Sequence, residues 1–63
     1  MSLIETDNLP DHDDFYAELL ATHRGLNEAQ SHALNARLIL ILANHIGDRA
    51  VLSRALELAR ETV

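Results

Sequence analysis

Four histidines, His12, His23, His32 and His45, are the residues of this chain best equipped for chemistry. An imidazole can ligate a divalent ion, shuttle a proton, or make folding and association respond to pH near 6. His12 also lies among Asp11, Asp13 and Asp14, whose carboxylates would suit a hard cation. A metal-binding helix, however, presents ligands at i and i+4 or in a short fixed motif, so that two donor atoms converge. These histidines stand eleven, nine and thirteen residues apart, and only tertiary packing would unite them. The competing account gives the acids to a helix N-terminus and the imidazoles to local carbonyls or solvent. That account is favoured: no metal, cofactor or catalytic residue is assigned, and a divalent-ion or pH-responsive histidine site is kept as the alternative.

The elements that would position these groups are helical. Asp11, with Asp14 three residues on, is an acidic variant of a helix-capping pattern. Phe15, Tyr16, Leu19 and Leu20 recur at the spacing of one helical face, and Gly25 supplies a left-handed stop. A first helix is expected from about Asp11 to Arg24. Asn27 with Gln30 forms a second capping box, and nothing from Glu28 to Ile46 breaks a helix. At 100° per residue, Gln30, Arg37 and Asn44 share one narrow polar strip. Leu34, Leu38, Ile41 and Leu42 fill one flank of the remainder, Ile39, Ala43 and Ile46 another, and Leu40 a third. The rival reading, LILIL as a buried strand, lacks a second strand to pair with and sits among four alanines.

Gly47 ends the second helix and Asp48 caps a third. There, Leu52, Ala55, Leu56, Ala59 and Val63 form the expected stripe, with Val51 and Leu58 beside it. Arg49, Ser53, Arg54, Glu57, Arg60 and Glu61 are expected in water, with a weak Glu57 to Arg60 pair. Residues 1–10 lack helical periodicity and read as an arm whose Leu3, Ile4 and Leu9 could fold onto the core. The domain organisation is thus an arm, 1–10, and one three-helix domain, 11–63.

Polar residues on apolar faces raise sharper possibilities. Ser31 and Asn35 lie on the Leu38 flank, and His45 projects near the same stripe. Such groups can fix register or partner choice in a helical assembly, or simply bond a neighbouring helix. The three arginines of the third helix suggest a recognition helix. Arg54 points away from the other two, though, and acids in the same segment would face the phosphates.

Composition narrows the class further. Ten acids against five arginines give a formal charge of −5, which repels nucleic acid and anionic membranes. Cysteine is absent, excluding disulfides and thiolate metal sites. The acidic N-terminal segment does not match a signal peptide, and the longest apolar run, Leu38 to Ala43, is far shorter than a membrane span. A soluble, cytoplasmic protein is expected. No nucleotide loop or nucleophile elbow occurs, and a thin layer of helices hardly encloses a substrate cleft. The expectation is therefore that the chain is not an enzyme.

The string FYAELLATHRGLNEAQSHALNARLILILANHIGD resembles a small bacterial family catalogued only as a domain of unknown function. The Phe15–Tyr16 pair, the Gly25–Leu26 turn, Gln30, Ser31 and the block from Leu34 to Asp48 carry the likeness. The resemblance implies a short helical protein, and an accessory role beside a flavin-dependent enzyme of aromatic catabolism. From the residues alone the fold class is all-α, a three-helix bundle or an open helical hairpin plus a third helix, and oligomeric. The expected function is protein–protein interaction through Ile39, Leu40, Ala43 and Leu58, by homodimerisation or by docking on a larger enzyme.

Overall fold

A computed structural model describes residues 2–63. The chain forms three helices, α1 (His12–Thr22), α2 (Glu28–Ile46) and α3 (Arg49–Glu61), and no strand occurs among the described residues. The all-α reading and the order of elements therefore stand. Met1, the first residue of the expected arm, lies outside the described residues.

Local chemistry accounts for each boundary. At the start of α2 the Gln30 N–H donates to Asn27 Oδ1 (2.9 Å) while the Asn27 N–H donates to Gln30 Oε1 (3.0 Å), so two otherwise unpaired donors are satisfied reciprocally. At its end Gly47 adopts φ 65° and its N–H donates to the Ala43 carbonyl at 2.9 Å, a left-handed cap that glycine takes without Cβ strain. Asp48 Oδ1 then accepts from the Ala50 and Val51 N–H groups at 3.0 and 3.2 Å, starting α3 without an intervening loop. α1 is the weakest of the three. Asp11 stands at its N-cap without a side-chain bond, and the expected last turn is replaced by tighter bonds from His23 N to Leu20 O and from Arg24 N to Ala21 O.

The helices lie open. No two of them pack along their lengths, and Val51, 7% exposed, is the one buried hydrophobic among the described residues. The radius of gyration is 13.2 Å, whereas a compact chain of this length has about 11 Å. Accessible surface is 5672 Å². A folded monomer of 7.0 kDa exposes about 4,000 Å² and its unfolded chain about 10,000 Å². The chain by itself thus leaves about 1,600 Å² more in water than a compact protein of its mass.

Part of what closure there is comes from the arm. Leu3 is half-buried and lines a small hollow with Ala50, Val51 and Arg54, whereas Ile4 and Leu9 remain exposed. The arm therefore does fold onto the helices, through one of its three aliphatics.

Candidate interaction surface

The exposed aliphatics concentrate on α2. Ile39, Leu40, Ile41 and Leu42 are 60, 70, 63 and 48% exposed, and four consecutive helical residues at 100° steps sample every side of the cylinder. The second half of α2 is therefore wet all round. Its flank toward α1 is the better covered: Ser31, Leu34 and Leu38 are half-buried there, as is Leu19 of α1. One polar contact ties the two segments. His23 Nε2 lies 3.0 Å from Asn35 Oδ1, and since a carboxamide oxygen only accepts, the imidazole donates through Nε2–H.

The opposite flank is an apolar face broken by one histidine. Ala29, Ala33, Ala36, Ile39, Leu40 and Ile46 are all exposed on it, and Ala43 is half-buried. His32 stands within it, between Ile39 and Ala43 around the helix, with Glu28 Oε1 at 3.6 Å. Toward the polar strip runs an open groove of about 460 Å³, floored by Leu34, Leu38 and Ile41 and rimmed by Leu26, Gln30 and Arg37. Of the four interaction residues expected from sequence, Ile39 and Leu40 lie in the open on α2, Ala43 is half-buried on the same face, and Leu58 is half-buried on α3.

On α3 the covered side differs from the expected stripe. Val51 is at its centre, with Leu52, Ala55 and Leu58 half-buried, while Leu56 and Ala59 face water. Arg54, expected in solvent, is 39% exposed and meets three carboxylates: Glu5 at 3.6 Å, Glu57 at 3.5 Å and Glu61 at 3.6 Å. Their negative charge, that of Glu5 foremost and then Glu61, raises the guanidinium pKa above its already high ordinary value. Glu57 thus pairs backward with Arg54 rather than forward with Arg60. The Glu5 contact, 49 residues away in the chain, carries no local signal; only the surplus of acids near the N-terminus hinted that the arm would seek a cation.

The histidines stay apart. His12 pairs with Asp13 at 3.3 Å, His32 with Glu28, and His23 with Asn35. No three His, Asp or Glu side chains converge in a metal-binding arrangement among the described residues. Of the three polar register candidates, Asn35 is engaged by His23, Ser31 is half-buried beside Leu34, and His45 is exposed. No helix of the described residues is long and apolar enough to cross a membrane.

A family model described as "Protein of unknown function (DUF2783)" matches residues 3–61. No curated protein and no solved structure matches the chain.

Proposed function

The chain belongs to this DUF2783 family, and on that premise we propose that it is a helical protein–protein interaction module whose fold is completed by covering α2 with another protein surface. The observation that carries this reading is the four-residue run Ile39–Leu42, exposed on every side of one helix. Soluble monomers rarely leave contiguous apolar patches larger than a few hundred Å² in water. Each Å² covered is worth roughly 25 cal/mol, so the surplus surface is a strong drive to associate.

The module works by docking rather than by a reaction of its own. Its grooves are open and shallow, and several of its polar side chains are engaged locally, in caps, in the His23–Asn35 bond and around Arg54. Nucleic acid is a poor partner for the same surface. α2 carries a single arginine, Arg37, and Arg54 is already surrounded by carboxylates.

Light scattering behind a sizing column, run over a range of concentrations together with amide hydrogen exchange, tests the reading. The expected result is either a mass above 7.0 kDa with protected α2 amides, or a monomer whose α2 exchanges freely until a partner covers it. A chain that stays at monomer mass with α2 strongly protected would show that the helix needs no cover.

A further inference from the structure

We propose that the occupant of the exposed Ala29–Ile46 face is a second copy of this chain, with the two α2 helices antiparallel and Ala36 meeting its own counterpart on a two-fold axis. The proposal rests on the interaction-module reading and specifies its partner and geometry.

The chain has apolar area to give to a second copy. The surplus of about 1,600 Å² is spread over the arm and all three helices, so the Ala29–Ile46 face supplies part of it, through Ile39, Leu40 and Ile46, and a pair joined by this face alone buries less than about 3,200 Å² in total. Charge does not oppose it. The six acids of residues 1–22 face no basic residue in that stretch, but α2 holds only Glu28 and Arg37 and is neutral. Bringing two α2 helices together therefore stacks no like charges from the acidic end of the chain.

Shape sets the direction. The face is bulky at its C-terminal half, with Ile39, Leu40 and Ile46, and slighter at its N-terminal half, where Ala29, Ala33 and Ala36 surround the one large side chain, His32. Parallel pairing would press bulk on bulk at one end and leave gaps beside the alanines at the other. Antiparallel pairing sets each large half on the small half of its mate, which keeps the spacing even and the layers filled. With the axis at Ala36, Ala43 lies opposite Ala29 of the second copy, Ile39 opposite its Ala33, and Leu40 opposite its His32. Ala29, Ala36 and Ala43 recur every seven residues, the interval that returns to one seam of a helix pair. Such a face is complementary to itself under two-fold rotation, the property an isologous interface requires.

The chain has no cysteine, so single introduced thiols report the geometry without background. Ala36→Cys should convert to a disulfide-linked dimer on copper phenanthroline oxidation, read on a non-reducing gel. A mixture of Ala29→Cys and Ala43→Cys chains should cross-link severalfold more than either variant alone. In the antiparallel pair the two copies of residue 29 stand about 21 Å apart, well beyond the ~7 Å Cα limit of a disulfide. Circular dichroism of each variant confirms that its helices persist, and cross-linking at two separate layers guards against one poorly tolerated position. Efficient self-linking of Ala29→Cys would establish a parallel pair and overturn the proposal. A dimer that links at none of these positions would overturn it by placing the interface elsewhere, with the module reading intact. A monomer with freely exchanging α2 amides would overturn the second copy alone. A monomer with protected α2 would overturn both.

Discussion

α2 and α3 meet at Gly47 and Asp48 and are comparably well capped, yet they dispose of their apolar residues in opposite ways. α3 has one apolar stripe, and its chain covers one edge of that stripe: Val51 is buried beside Leu3 of the arm, and Arg54 ties the arm's Glu5 to the helix. α2 has apolar residues on three flanks, and the chain covers one of them in part. A helix with one greasy side can be satisfied by a short arm, whereas one greasy nearly all round needs at least two neighbours. The contrast places the cover of α3 inside the chain and leaves that of α2, on the proposed reading, to another protein surface.

Putting a charge on the α2 face should break the comparison hardest. Leu40 is the most exposed of the four central aliphatics, so Leu40→Asp leaves the isolated helix little altered but would strand a carboxylate in any interface covering it. Association should weaken by about a hundredfold or more, about 3 kcal/mol, while far-ultraviolet circular dichroism at matched low concentration changes little. Sedimentation velocity checks the first and dichroism the second. An unchanged mass would remove Leu40 from the contact.

How much of this was legible in sequence follows the reach of each signal. Both ends of α2 could be read to the residue, because Asn27 with Gln30 and Gly47 with Asp48 act within one turn of the positions they specify. α1 was expected to run from Asp11 to Arg24 and is shorter, because Asp11 makes no side-chain cap and the chain tightens after Thr22. The periodicity of α3 defined an apolar stripe but not which edge of it is covered. That edge is chosen by Leu3 and Glu5, nearly 50 residues upstream. Asn35 was conspicuous as a polar group on an apolar flank and His23 as one of four histidines, yet their 3.0 Å meeting depends on the angle at which the Gly25 turn returns the chain. The exposed face of α2 was legible for a different reason: an excess of aliphatics on one helix is a property of composition, and no arrangement of two short neighbours removes it.

The smaller predictions sharpen the α3 side. Val51→Ala removes two methyl groups from the one buried hydrophobic position among the described residues, which should cost about 1.5 kcal/mol. Because that contact is made within a chain, the loss measured by urea denaturation should be the same at every protein concentration, unlike the loss from Leu40→Asp. A Val51 effect that grew on dilution would mean that α3, too, is buried by a partner.

Arg54→Gln should have the slightest effect on global stability, since its three ion pairs are solvent-accessible and such pairs contribute little when water and salt screen them. Its consequence is local. Without the guanidinium, Glu5 loses its arginine partner, Leu3 is left to hold the arm against Ala50 and Val51, and amides of residues 3–6 should exchange faster while those of α3 stay protected. Raising salt on the unaltered chain should move arm exchange in the same direction. Should arm exchange in Arg54→Gln match the parent while α3 loosens, the arginine's contacts to Glu57 and Glu61 would be the ones that matter, and α3 would owe its order to its own surface rather than to the arm.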